Sequence, residues 1–483
     1  MTTIAIDREA PAQAWRAQFE SLETEIRDGV ELEVEGSLPA ELQGTLYRIG
    51  PARHDVYGER YRHWFDGDGM VHALRLGGGR AQYRNRFVET TKKREEDAAH
   101  RRLYSGFATP PAGGPLERLR RGRIPMSAAN TNVVACGGHL LALWEGDRPW
   151  RLDPVTLATI GEDDLGGVLA AGDPVSAHPH WDPISGELWN FGVRYGRKAV
   201  LSVYRTRADG ATERVTQLPL PIAAMVHDFA VTPTRVVVVV VPYALPTVPV
   251  GMLTGASSYG DSLRWRPQDG TRVAVIDRAS GEVRWYRTEP FLMFHTVNAY
   301  DEGADVVVDL CAYPDTSLMR WFKEVMRGTV TTRVAGHTER LRLGAGGAVT
   351  TTRLPGGSIE FPRVATGAMC AEHRRIYAVA WSDDGYFPRN PAALDLDTGA
   401  LEVAPMRDGE FAGECVPVSK AGATSESDVW LLTLVLDAVT RRSEVRVLDG
   451  GDLSAPPVAV VPLPHMVPAG FHGNWVPTQL HLT

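Results

Sequence analysis

The sequence predicts an all-β chain built by radial repetition, a β-propeller, and three observations predict it. Most of the chain beyond residue 30 reads as short runs of β-branched and aromatic residues cut by Gly, Pro, Asp and Asn, the pattern of short strands. One unit recurs: an apolar run, an acidic turn with glycine, then another apolar run, as in DPISGELWNF (182–191), VIDRASGEVRWYR (275–287) and LDLDTGALEV (394–403). Such turns are hairpin chemistry, because Asp bonds its own backbone and Gly accepts positive φ. Finally, no Ser/Gly-rich linker divides the 483 residues. Irregularly spaced hairpins in one undivided chain favour a propeller over a sandwich or a row of unrelated β domains.

Taken in order, residues 1–30 hold Ala, Gln, Glu and Arg with few breakers, which predicts a helical segment packed on a single domain spanning 31–483. HWFDGDGMVHALRL (63–76) holds His63, Asp66, Asp68 and His72; its Asp-Gly-Asp-Gly predicts a hairpin turn between strands and a structural role. PLERLRRGR (115–123) predicts a short basic amphipathic helix. WRLDPVTLATI (150–160) and VRVLDGGDLSAPPVAVV (445–461) are looser hairpins. Val236 to Val241 reads as a strand buried on both faces. The apolar stretch after it, 242–253, carries Pro242, Pro246 and Pro249, which argue against a membrane span and for an apolar loop. Residues 314–328 predict another helix, with Leu318, Trp321, Phe322 and Val325 on one side.

The net charge of -8 gives no basis for nucleic-acid binding. The four cysteines lie far apart and form no C-x-x-C, so neither a zinc ribbon nor a dithiol redox motif is indicated. Sparse thiols and an N-terminus without an apolar signal core predict a cytoplasmic protein.

Nucleophile elbows, H-E-x-x-H and phosphate-binding loops are all missing. The candidates for chemistry are histidines. Of fourteen, His178 (SAHPHWDP), His227 (AAMVHDFAVT), His295 (FLMFHTVNAY) and His472 (AGFHGNW) sit in apolar or strand-leading settings. A buried histidine must be hydrogen-bonded or metal-bound. Each alone is ordinarily a satisfied core residue. Four spread over putative blades can meet on a propeller axis and hold one ion, for which iron, copper, zinc and nickel are all suitable. Such ligands need outer acceptors; Glu145, Glu360 and Glu414, each in apolar sequence, are the candidates, against a bland reading as exposed edge residues.

The segments FDGDGMVHA, ANTNVVACGGHLLALWEG, DPVTLATIGEDDLGG, SAHP, VHDFAVTP and FAGE together resemble the carotenoid cleavage oxygenases, from Leu32 to the C-terminal FHGNW. ANTN through SAHP is especially similar to the cyanobacterial apocarotenoid branch that makes retinal. The resemblance implies a seven-bladed β-propeller with a helical and loop cap over an axial metal site. It implies Fe(II) bound by His178, His227, His295 and His472, with Glu145, Glu360 and Glu414 holding the imidazoles. It implies that Thr131 narrows access beside the metal and so favours O2 binding. His180 stands where the family usually has Lys or Arg, so His178 is the ligand and His180 is not. The chain departs from the family at Cys415, where FAGEP is usual, and after EFP.

The implied activity is a non-haem Fe(II) dioxygenase that cleaves a C=C bond of an apocarotenoid or carotenoid with O2, giving two carbonyl products, one a retinal-type apocarotenal. Oxidative cleavage of a stilbene or phenylpropenoid to an aromatic aldehyde is the alternative, weakened because RIPMSA before ANTN offers no lysine. A non-catalytic propeller used as a binding module is the other. A long apolar polyene needs an apolar wall, for which local context nominates Phe65, Trp144, Met225 and Phe294. Such a substrate lives in membranes, so 242–253 and 115–123 are expected to make peripheral contact at the inner membrane face.

Overall fold

The computed structural model describes residues 13–121 and 125–478. Seven antiparallel sheets of four to six strands stand around a common axis, with two further two-stranded ribbons. In chain order, a sheet opens on each of the strands Asn132–Cys136, His180–Asp182, Phe229–Val231, Leu292–Glu302 and Ile359–Arg363 and winds outward through successive hairpins. A further sheet carries Glu410–Ala412 and Val416–Ser419 beside Val429–Asp437, and ends on the N-terminal Glu35–Gly36. The remaining sheet closes the ring, because the C-terminal strand Gly473–Pro477 pairs with Gly44–Arg53.

The predicted hairpin turns form for the reason given. Gly186, Gly281 and Gly399 have φ of 69°, 72° and 71°, and each donates its N–H to the carbonyl of Asp182, Asp277 or Asp395 four residues back. The same aspartates accept backbone N–H groups through Oδ1. Val236 to Val241 is buried throughout, in and just past the strand Arg235–Val240. The helix Ser317–Arg327 forms as expected and buries Leu318, Trp321, Phe322 and Val325.

Three expectations are corrected. Of the expected helical segment 1–30, residues 1–12 lie outside the described residues and the remainder is not one helix: Ala14–Phe19 is a short 3-10 helix, and Ile26–Leu32 is a strand paired with Arg80–Phe87. Strand pairing at a sheet edge overrode a weak local helix preference there. FDGDG is not a hairpin turn: Trp64–Asp66 is a 3-10 turn that feeds the long strand Asp68–Gly77. Its aspartates are buried anchors, Asp66 accepting from Thr109 Oγ1 at 2.5 Å and Ala108 N, and Asp68 accepting from Lys92 Nζ at 2.8 Å and Arg53. The loop 242–253 contains a short strand, Tyr243–Ala244, and a helical turn, Val250–Leu253. The basic segment forms a helix, Pro115–Arg121, while residues 122 and 123 of that expectation lie outside the described residues.

Candidate metal centre

The edge strands Phe229–Val231, Leu292–Glu302 and Ile359–Arg363 neighbour one another in succession around the axis. At or just before such an innermost strand, every sheet presents one notable residue: Thr131, His178, His227, His295, Glu360, Glu414 and His472. This is why residues as much as 341 positions apart in sequence, Thr131 and His472, share one site, where the His472 N–H donates to the Thr131 carbonyl at 3.2 Å.

The four imidazoles converge. His178 Nε2 lies 2.9 Å from His227 Nε2, and His295 Nε2 lies 3.2 Å from His472 Nε2. The His178 ring is 4.6 Å from the His472 ring, centroid to centroid. Among the described residues, His178, His227 and His295 present nitrogens mutually close enough to share an ion, and His472 Nε2 faces that of His295. Three Nδ1 atoms are held by carboxylates: His227 by Glu145 at 3.1 Å, His295 by Glu360 at 2.5 Å and His472 by Glu414 at 2.9 Å. His178 is held through its backbone N–H on Ser176 Oγ at 3.0 Å. His180 turns away, its Nε2 lying 2.9 Å from Asp228 Oδ1.

The carboxylates are themselves fixed. Glu360 accepts from Tyr313 at 2.5 Å and from the Phe361 N–H at 3.0 Å. Glu414 is buried between Arg48 at 2.8 Å and Arg363 at 2.9 Å. Burial opposes ionisation of Glu360 and Glu414, but their imidazole and guanidinium partners outweigh it, so both stay below the usual carboxylate range. Burial and the crowding of four other imidazoles hold His178 far below its ordinary value, and burial pushes His472 down to about 4. Burial also works against the His295 cation, but Glu360 beside it outweighs that, so His295 stands above its ordinary value.

A metal ion fits these residues. A carboxylate on Nδ1 leaves the proton there and a bare lone pair on Nε2. With both rings neutral, the Nε2 atoms of His295 and His472 face each other at 3.2 Å as two acceptors, an arrangement that a shared cation relieves. The donor set is imidazole alone, with carboxylate charge one shell out.

Above the histidines lies a narrow, aromatic-walled cavity. Its polar lining is Thr131, Glu145, Glu360, His227, His295 and His472. Phe65, Trp144 and Phe294 line it as expected. Met225 does not; it is buried in the core behind the wall. Sequence reasoning missed much of the wall, including Trp64, Phe107, Phe361, Trp381 and Phe471. Adjacency was the available signal for two of them, Phe361 following Glu360 and Phe471 preceding His472. The cap helix contributes Leu318, Trp321 and Phe322, the stripe legible in its periodicity.

A seven-bladed propeller with four axial histidines and carboxylates behind them defines a class, and the comparisons agree. The profile of the retinal pigment epithelial membrane protein family matches residues 19–477, and the chain belongs to this family of carotenoid cleavage oxygenases. It is 33% identical to the apocarotenoid-15,15'-oxygenase of Synechocystis sp. (strain ATCC 27184 / PCC 6803 / Kazusa), over 99% of each chain. It is 31% identical to resveratrol cleavage oxygenase 1 of Aspergillus fumigatus, over 92% of each. The crystal structure of the cobalt-substituted Synechocystis enzyme superposes with a TM-score of 0.87 at 31% identity, covering 97% of this chain and 99% of that one.

Proposed function

We propose that this protein is an Fe(II)- and O2-dependent oxygenase that cleaves a C=C bond of an apocarotenoid, giving two carbonyl products, one a retinal-type apocarotenal. The observation that carries this reading is the junction of the four imidazoles with an aromatic-walled cavity. His178, His227, His295 and His472 would hold the iron. Ferrous iron there would supply the redox chemistry that makes the spin-forbidden reaction of O2 with an alkene accessible.

The chain's own residues do the rest. Glu145, Glu360 and Glu414 keep the protons of His227, His295 and His472 on Nδ1 and fix the ring orientations. Phe65, Trp144, Phe294 and Phe361 offer flat apolar faces that suit a conjugated chain and exclude water. They determine which bond lies over the histidines. Thr131 narrows the space beside them, with its hydroxyl committed as a donor to Asn130 Oδ1 at 3.0 Å. The wall offers no serine, cysteine or lysine, so no covalent intermediate with the protein is invoked.

Cleavage of a stilbene or phenylpropenoid is the second reading. The Aspergillus relative and the isoeugenol monooxygenase of Pseudomonas nitroreducens, 26% identical, favour it by name. The lining ranks it second, since it offers a phenolate no cationic lysine or arginine. A panel of an apocarotenal, an intact carotenoid, a hydroxystilbene and a propenyl-phenol, incubated with Fe(II)-loaded protein and read by chromatography with mass detection, separates the two. A short apocarotenal supports the first reading, and an aromatic aldehyde alone replaces it with the second.

The same reading places the protein at a membrane surface by peripheral contact. No helix among the described residues is long and apolar enough to cross a membrane. Leu116, Val248 and Val250 are 69%, 60% and 62% exposed, and Gly255 packs on Arg118, so the two segments adjoin. This joint apolar patch is the proposed contact.

A further inference from the structure

Asp228 follows His227 directly and is 2% exposed. Its side chain makes four hydrogen bonds, all to segments that carry the clustered histidines. Oδ1 takes the Phe229 N–H at 2.7 Å and lies 2.9 Å from His180 Nε2. Oδ2 accepts from the Thr296 N–H at 2.7 Å and from Thr296 Oγ1 at 2.8 Å. His180 is two residues beyond His178, and Thr296 is one beyond His295. One carboxylate thus spans three blades.

The strand ladder explains why such a tie is needed. Leu292–Glu302 pairs with Asp305–Tyr313 regularly except around His295, where the register shifts on both sides of Thr296. A shifted ladder leaves backbone groups without their regular partners and re-aims side chains. The Thr296 N–H is taken up by Asp228 instead of by a neighbouring strand. Glu360 fixes the His295 ring from one side; Asp228 fixes the backbone beneath it. The ring of His178 is not among the three held by a carboxylate, and His180, two residues on, ties its segment to Asp228.

We propose that Asp228 is a positioning residue of the metal centre: it locks the three strand ends bearing His178, His227 and His295 at the separation one ion requires. This rests on reading the four histidines as a metal site. Its effect is on the geometry of the histidines and on the ion's affinity, not on the chemistry of a substrate.

The test uses full-length protein, Co(II) as the probe and four variants. Apparent affinity is measured by competition with a chelator, the Co(II) d–d spectrum is recorded, and the thermal midpoint of the metal-free protein is measured alongside. Asp228→Ala should weaken Co(II) binding by roughly 10–100-fold, the range for outer-shell partners, and change the d–d spectrum. Asp228→Asn should recover part of both, because an amide oxygen can still accept from Thr296. Thr296→Val and His180→Leu, which each remove one strut and leave the buried carboxylate, should each give a smaller change of the same kind. A lowered midpoint with unchanged Co(II) affinity and spectrum in these variants would overturn the proposal and leave Asp228 as a fold residue. Failure of the unsubstituted protein to bind Co(II) or Fe(II) would instead overturn the metal reading itself.

Discussion

Three of the four imidazoles are defined by the carboxylate their Nδ1 touches, and that makes the carboxylates testable one at a time. Glu360→Gln keeps the size of the side chain but removes the charge facing His295 Nδ1. Iron affinity should fall by roughly 10–100-fold, measured by chelator competition, and unchanged affinity would contradict the role. A second prediction concerns histidines outside the centre. His54, His63 and His72 are buried, and burial pushes each down to about 3. An unfolded histidine titrates near ~6.5. Above that pH neither state is charged; between it and about 3 the unfolded chain binds protons that the folded chain refuses, so acid destabilises. Asp66, pushed up to about 6 by burial, acts oppositely below that pH, so two of the three histidine contributions remain uncompensated. The thermal midpoint should drop between pH 7.5 and 5, and a flat profile would contradict these burials. At this scale the four histidines and three glutamates were legible, because their apolar surroundings mark them as residues needing partners. Asp228 and Asn130 were not, because a short polar residue beside a motif carries no sign of what it bonds. Met225 shows the converse limit: local context says that a side chain is buried, not whether it faces a core or a cavity.

Among the elements, the helix Ser317–Arg327 decides how closed the site is. Phe322 contacts the rings of Phe65 and Phe294 across the cavity at 4.9 and 5.4 Å, centroid to centroid. Phe322→Ala should cost ~3–5 kcal/mol of stability and weaken binding of an apolar polyene, checked by denaturation and by ligand titration. Stability lost with unchanged affinity would make the helix a cap without a role in binding. The surface helices make a separate prediction. Val248→Asp with Val250→Asp should reduce co-sedimentation with lipid vesicles and leave activity on detergent-solubilised substrate unchanged; equal sedimentation would remove the membrane contact. The helix was legible from its stripe, and the hairpins from their Asp and Gly. The strand Ile26–Leu32 was not, since its partner lies some fifty residues on. Nor was the irregular pairing of Ile359–Arg363, where Phe361 takes φ of 53°. That one segment aims Glu360 at His295, Phe361 at the cavity and Arg363 at Glu414, an outcome that no period of hydrophobicity announces.

For the molecule as a whole, the ring is the device that turns distant sequence into one site. The strand Gly473–Pro477 closes it against Gly44–Arg53 and so delivers His472 to the other three. Deleting the chain from residue 473 onward retains all four histidines yet should abolish tight metal binding, as read by metal content after dialysis. Full retention would show that closure does not assemble the centre. Radial repetition was legible as a class, but the number of blades came from resemblance, since irregular hairpin spacing does not count them. The central claim is that the axial histidines serve an iron- and oxygen-dependent cleavage of an alkene. One measurement tests it most directly: apoprotein and Fe(II)-loaded protein, each incubated with an apocarotenal with and without O2, and products identified by mass. Two carbonyl fragments formed only when iron and O2 are both present is the predicted result. Fragments formed without O2, or by the metal-free protein, would contradict it.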